Sequence, residues 1–416
     1  MADRMRVAIV GMGGVTATFR NWPERVTGRA LVERGHHVAN VAYYDPRQPA
    51  LSRREEVVDG VRVRRVPVRH WPNTALYRAL DALGPFDLMH LLHPRNVLAY
   101  GATRWARRHG VATVYTWLGP FHDRYLIDDR ERPLDEMPKY ERLVWDLPTV
   151  VHRTLRDGHV RDHLRNFWLH WPLKAANVLL PCSEHEATVM RAMGLRQPME
   201  VVPLWIDVLA IRATPPMEIA EPAGSPRLLF IGQLTPRKGY DLLVRALPAV
   251  LKAYPSTVLG IVSGLNPADR AAMEAMAAEL GVTGVIRFLG RVDDAHLVNL
   301  FRVSDLYVTP TRYEGFGLTL LEAMAAGCPI VTSAIPVVDE IVQHGVNGWL
   351  ARYDDPADLA AGIVRLLDEP GLRAELAWAG ERVLRERFAE GKLIERVEAV
   401  YAAAISHRRA AARKER

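Results

Sequence analysis

The chain has 416 residues, too many for one ordinary hydrophobic core, so two or three domains are expected. Its apolar share of 49% and charged share of 25% are those of a globular chain, and no apolar run reaches the length of a membrane span. A formal charge of +6 reads first as a surface with a mild arginine excess, and it also fits a phosphorylated substrate or peripheral contact with an anionic membrane surface. No nucleic-acid-binding signature occurs, so no nucleic-acid partner is expected. Two cysteines, Cys182 and Cys328, exclude a disulfide framework and a cysteine-rich zinc site. The start, MADRMRVAIVGMGG, enters a strand without a signal-peptide pattern, which makes the cytoplasm the expected compartment, with the inner membrane face as a variant.

In chain order, RVAIV reads as a buried strand and Gly11, Gly13 and Gly14 as the turn after it. A helix ending near Gly35 and the strand VANVAYY complete a strand-loop-helix-strand unit, which implies a parallel sheet. The glycines match a dinucleotide fingerprint poorly, and Asp45 is too distant for a ribose ligand, so an NAD oxidoreductase is the least favoured function. VDGVRVRRVPV reads as a hairpin or edge strand with its arginines on the solvent face. FDLMHLLH is a strand that delivers His90 and His93, NVLAYGATRWARRHG is a helix stopped by Gly110, and VATVYTW is the next strand. Residues 124–172 differ, combining mixed charge with Tyr125, Tyr140, Trp145, Phe167, Trp168 and Trp171. They are read as a helical insertion packed on the sheet, or else as an acceptor groove or membrane-facing surface. A helix capped by Ser183 and a strand MEVVPLWID follow.

The expected domains are therefore 1–207, a proline-rich linker over 208–226, and a second domain over 227–388. A closing helix with a basic tail, 389–416, is expected to pack back on the first domain. The second domain restarts the pattern with RLLFIGQLTPRKGYDLLVRAL and continues through STVLGIVSG, VIRFLG, LYVTP and PIVTS. The fold class is α/β, two doubly wound Rossmann-like domains facing across a cleft, where open sheets bind ligands at the strands' C-terminal ends.

One stretch carries most of the chemistry: PTRYEGFGLTLLEAMAAGCPIVTSA, residues 310–334. Glu314 and Glu322 flank Gly315-Phe316-Gly317, and the loop feeds a helix stopped by Gly327 and Pro329. A glycine loop at a helix N-terminus can hold an anion, and two carboxylates can hold hydroxyls, which together suit a nucleotide sugar. Helix capping alone would also explain the glutamates.

GQLTPRKG (232–239), RYEGFGLTLLEAMAAGCPIVTS (312–333) and GVNGWL (345–350) resemble the retaining family 4 glycosyltransferases of GT-B fold, the group with glycogen synthase- and mannosyltransferase-like members. The resemblance implies a nucleotide-diphosphate-sugar donor and a hydroxyl acceptor that is a glycan, a lipid-linked sugar or a small molecule. It assigns Glu314 to the sugar hydroxyls, the Gly315, Phe316 and Gly317 backbone nearby, Leu318 and Thr319 amides to the distal phosphate, Glu322 to the ribose, Lys238 to the diphosphate, and Arg291 and Val292 to the base. Gly13 and Gly14 would approach the donor phosphates or the acceptor. No metal or other cofactor is implied, and the chain has no Asp-x-Asp triplet. Three departures stand out. Gln233 occupies the usual arginine position, with Arg237 as the substitute charge. Leu118 replaces a histidine in the first domain, leaving His122, beside Asp123, as the candidate to orient the acceptor or the sugar, with His93 the weaker one and a histidine bonded within its own loop the alternative. GMGG replaces PxGG. A nucleotide-sugar epimerase and a non-catalytic binding homologue are the alternative functions.

Overall fold

The computed structural model describes residues 4–18, 20–67, 73–93, 96–118, 143–220, 224–264 and 267–414. The chain divides into two compact units, Met1–Trp205 with Glu390–Arg416, and Ile206–Ala389. Each is a Rossmann-like α/β domain.

In the first unit, strands β1 (Arg6–Val10), β2 (His37–Tyr44), β3 (Glu55–Val58), β4 (Val61–Pro67), β5 (Leu88–Leu92), β6 (Ala112–Thr116) and β7 (Val178–Leu179) pair in the order β3-β4-β2-β1-β5-β6-β7. All neighbours are parallel except β3 with β4. β5 and β6 are buried throughout, as expected of parallel strands covered on both faces. The connecting helices start at side-chain caps: Asn73, Asn96 and Ser183 each accept a first-turn N–H.

Two strand expectations change. On β4, Arg62 points outward, but Arg65 is buried, paired with Glu56 at 2.6 Å and donating to the Val15 and Arg53 carbonyls. A charge turned inward needs such partners, and the three supply them. MEVVPLWID is not a ladder strand: Met199 forms a single bridge to Leu179, and Pro203 has no N–H for a ladder.

The closing helix, Glu390–Lys414, runs through the basic tail. Its Leu393, Ile394, Val397, Val400, Tyr401 and Ala404 are buried in the first unit's core with Val7, Leu88 and Val114. Tyr401 Oη lies 2.6 Å from Nδ1 of the buried His90 on β5, whose Nε2 meets Thr116 Oγ1 at 2.8 Å.

The second unit holds β8 (Arg227–Ile231), β9 (Val258–Val262), β10 (Ile286–Gly290), β11 (Leu306–Thr309), β12 (Ile330–Ser333) and β13 (Trp349–Ala351), all parallel, in the order β10-β9-β8-β11-β12-β13. The front of the expected linker is folded onto this unit. A helix spans Val208–Ala213, Arg302 donates to the carbonyls of Ile211 (3.0 Å) and Thr214 (2.8 Å), and Asn299 to that of Pro215 (3.0 Å). The prolines read as linker because they break periodicity, but their carbonyls remain good acceptors.

Leaving aside the antiparallel edge strand β3, both strand orders reverse once. In the first unit the reversal falls between β1 and β5, in the second between β8 and β11. The loops leaving these strand pairs diverge and open a crevice at the sheet's C-terminal edge.

Candidate active site

Most of the predicted donor residues of the second unit fall on the two loops leaving β8 and β11 and on the helix after the second loop, whereas Arg291 and Val292 follow β10 and Gly13 and Gly14 lie in the first unit. The first loop runs from Gly232 through a 3₁₀ turn, Pro236–Lys238, to Gly239, and the second from Pro310 to Gly317. Gly239 sits at φ 69°, and a Cβ there would lie 1.8 Å from the Pro310 carbonyl oxygen. Only glycine allows this approach. Arg312 ties the loops together. It donates to both carboxylate oxygens of Asp241 at 2.7 Å, to the Pro236 carbonyl at 2.6 Å and to Asp354 at 2.7 Å. Its amide donates to the Arg237 carbonyl at 2.9 Å. Thr311 Oγ1 reaches the Arg237 and Tyr313 carbonyls at 3.1 and 2.9 Å.

This frame brings three predicted residues together. Lys238 Nζ is hydrogen-bonded to Glu314 Oε2, and Arg237 Nη1 lies 3.8 Å from Glu314 Oε1 while donating to the Tyr313 carbonyl at 3.0 Å. Burial works to raise the Glu314 carboxyl. The charges of Lys238 and Arg237, with hydrogen bonds from Lys238 and the Gly315 amide, outweigh it and hold the group below its ordinary value. Arg237 thus supplies a positive charge at the site, whereas Gln233 is exposed.

Gly317, at φ 105°, opens the helix Leu318–Ala326 without a side-chain cap, so the Leu318 and Thr319 amides lead it. Tyr307, buried on β11, donates to Thr319 Oγ1 at 2.9 Å. Burial raises its phenol, and the charges of Glu314 and Glu322 add to that. The Phe316 side chain is buried against Phe388, with ring centroids 6.1 Å apart, so only its backbone is left for a ligand. Arg291 and Val292 follow β10, and the exposed Arg291 guanidinium lies over Gly264, where a Cβ would sit 2.6 Å from Nε. Sequence reasoning missed Arg312, Tyr307 and Thr311, most of whose partners, Asp241, Thr319 and the Arg237 carbonyl among them, lie on other elements and leave no spacing signal.

In the first unit, the glycines after β1 make room for the chain's own side chains. A Cβ on Gly13 would meet the Trp22 indole at 2.9 Å, and Gly14, at φ 66°, packs on Asn40 and Ala42. Leu118, at φ 55°, donates its amide to Glu186 at 3.2 Å. His122 and Asp123 lie outside the described residues, as does 124–142 of the aromatic insertion. Among the described residues no cluster of three or more His, Cys, Asp or Glu could hold a metal ion.

A likeness to solved structures places the fold. A sucrose-phosphate synthase from Thermosynechococcus elongatus superposes with a TM-score of 0.71 at 20% identity, covering 97% of this chain and 100% of that one. Anabaena HepE in complex with UDP and glucose gives 0.67 at 16% identity, covering 96% and 100%. The fold is that of the GT-B glycosyltransferases, two Rossmann-like domains in succession. The sequence places the family. Residues 25–205 match the glycosyl transferase 4-like domain, and residues 215–383 match glycosyl transferases group 1. The chain belongs to the glycosyltransferases built from these two domains. It is 35% identical over 192 residues to a D-inositol 3-phosphate glycosyltransferase of Acidothermus cellulolyticus, and 33% over 178 residues to an uncharacterized glycosyltransferase of Methanocaldococcus jannaschii. These alignments span 44% and 43% of this chain and 42% and 45% of the relatives, less than half of their length.

Proposed function

We propose that the protein transfers a hexosyl unit from a nucleotide-diphosphate sugar to a hydroxyl acceptor, with retention of anomeric configuration and without a metal. The observation that carries this reading is the meeting of Lys238, Arg237 and Glu314 beside an uncapped helix N-terminus, at the point where the second sheet reverses its strand order. Breaking a sugar–phosphate bond builds negative charge on the leaving diphosphate, and fixed positive groups aimed there lower the barrier. Lys238, Arg237 and the amides of Leu318 and Thr319 are such groups. Glu314 takes the sugar hydroxyls and Glu322 the ribose. The acceptor hydroxyl attacks from the leaving-group face: its oxygen bonds to the anomeric carbon, the bond to phosphate breaks, and the proton passes to the departing phosphate. HepE, whose solved complexes contain UDP with glucose or UDP-glucose, supports a UDP-sugar as the first donor to test.

The test is product analysis with UDP-, GDP- and ADP-sugars. Wild type is expected to release nucleoside diphosphate and form a glycoside, and Glu314→Ala to lose about a hundredfold or more of that rate. Full activity in Glu314→Ala would sink the reading, and an epimerised sugar nucleotide without an acceptor would replace it with the epimerase.

A separate observation supports peripheral contact with an anionic membrane. The helix Leu147–Asp157 exposes Leu147 (54%), Val151 (59%) and Leu155 (84%) along one face, beside exposed Arg156 and, just beyond, Val160 and Arg161. An apolar stripe edged by basic groups suits a lipid interface. Among the described residues no helix is long and apolar enough to cross a membrane.

A further inference from the structure

The first unit's own switch point, between β1 and β5, carries a polar pair that the donor chemistry leaves unused. Glu24, in the first turn of the helix Pro23–Glu33 that follows β1, is fully buried. Its Oε1 lies 2.9 Å from Nε2 of His93, the residue after β5. Its Oε2 is buried with no hydrogen-bond partner among the described residues. Gly11 makes room for this carboxylate, since a Cβ there would sit 2.1 Å from Oε1. His93 is held at φ 73°, a left-handed conformation rare for a residue with a side chain, and the Tyr115 hydroxyl on β6 fixes its carbonyl at 2.9 Å. The Trp22 indole stands 5.4 Å from the imidazole, ring centre to ring centre, and packs over Gly13. His93 Nδ1 makes no hydrogen bond among the described residues, and the side chain is 13% exposed. Four elements therefore converge to hold one imidazole at the edge where an open sheet binds ligands.

We propose that His93 is an acceptor-binding residue, with Glu24 its positioning residue and Trp22 the wall beside it; this rests on the glycosyltransferase reading above. The Glu24 carboxylate accepts the Nε2 proton and so fixes the tautomer in which Nδ1 is a bare acceptor. A group of that kind takes a hydroxyl of a polyol, a sugar or cyclitol, whose C–H face can lie on the indole. His93 holds a hydroxyl that does not react, and no proton is transferred to it.

Two replacements separate this role from a purely structural tie. His93→Gln keeps a polar group near the Nε2 position for Glu24 but has nothing at Nδ1. His93→Asn does the reverse and tolerates the left-handed backbone. With UDP-glucose as donor and glycerol or myo-inositol as acceptor, His93→Gln is expected to raise the acceptor KM about tenfold or more, the loss of one good hydrogen bond, with UDP affinity and Tm unchanged. His93→Asn is expected to keep the acceptor KM within about threefold. An acceptor KM within twofold of wild type in His93→Gln would overturn the proposal. A second measurement needs neither variant nor turnover: in wild type labelled with ¹⁵N-histidine, the His93 ring nitrogens should report the Nε2-protonated tautomer, and Nδ1 should shift on titration with myo-inositol in the presence of UDP. The opposite tautomer, or an Nδ1 signal that stays fixed, would also overturn it. Failure of the glycosyltransferase reading shows differently, as a wild-type chain that binds no sugar nucleotide.

Discussion

Arg312 shows how one residue sets the geometry of others that do the chemistry. Its guanidinium, largely buried, spans Asp241, Asp354 and the Pro236 carbonyl, and its hydrogen bonds to Asp241 hold it all the more firmly charged. Burial works to raise Asp241, but the bonds and charge from Arg312 keep it below the usual carboxylate range. Arg312→Met is therefore expected to cost about 2–3 kcal/mol, the scale of charged hydrogen bonds lost with one partner left behind. It should also weaken donor binding, because Lys238 and Glu314 sit on the two loops it joins. Urea unfolding together with UDP titration checks this, and an unchanged midpoint would remove Arg312 from the frame. The sequence pointed to Glu314 and Glu322 because acids flanking a glycine loop have a chemistry of their own, and to Lys238 through the family resemblance. Arg312 lay inside the same quoted motif unnoticed, since its partner Asp241 is 71 positions away. The same holds for His93, visible at a strand end but given its character by Glu24, 69 residues earlier.

At the scale of elements, apolar β-branched runs marked most strands, and glycine stops marked helix ends such as Gly110. What pattern did not reveal is which face of an element carries a buried polar group. His90 was read as a residue delivered near a strand end, yet it lies inside β5, bonded to Thr116 and Tyr401, and burial pushes its pKa down to about 3. The folded chain leaves it neutral, while the unfolded chain protonates it near 6.5. Its contribution is therefore whole above that pH and is lost as pH falls toward 3, at about 1.4 kcal/mol per pH unit. His90→Gln is expected to be less stable at pH 7 but to have a shallower stability curve between pH 6 and 4, and equal slopes in the two proteins would count against this. The exposed helix Leu147–Asp157 makes its own prediction. Wild type should pellet with phosphatidylglycerol-containing vesicles at low salt, and Leu155→Glu should stay in the supernatant. Wild type remaining in solution would retire the membrane reading.

For the whole molecule, the chain leaves the first unit at Trp205, builds the second, and returns at Glu390 to finish the first. The returning helix has a clear apolar spacing, Leu393, Ile394, Val397, Val400, Tyr401 and Ala404, all buried. That spacing says the helix needs a partner; the first domain expected from the sequence is the one it meets, and the three-dimensional structure names the residues, Val7, Leu88 and Val114 among them. The polar contacts point the same way: Glu398 meets His36 at 2.8 Å and Arg34 at 2.8 Å, and Glu390 meets Arg29 at 2.6 Å and the Trp205 indole at 3.0 Å. Burying a large apolar side chain contributes about 1.5–3 kcal/mol. Losing Leu393, Ile394, Val397 and Tyr401 together is then comparable with the whole stability of a domain, about 5–15 kcal/mol. A chain ending at residue 389 is expected to keep the second unit folded and lose the first. Hydrogen exchange reads the two separately: β8, β9 and β11 should stay protected while β1, β5 and β6 exchange freely. Protection of β1 and β5 at the full-length level would mean that the first seven strands hold their core without the helix.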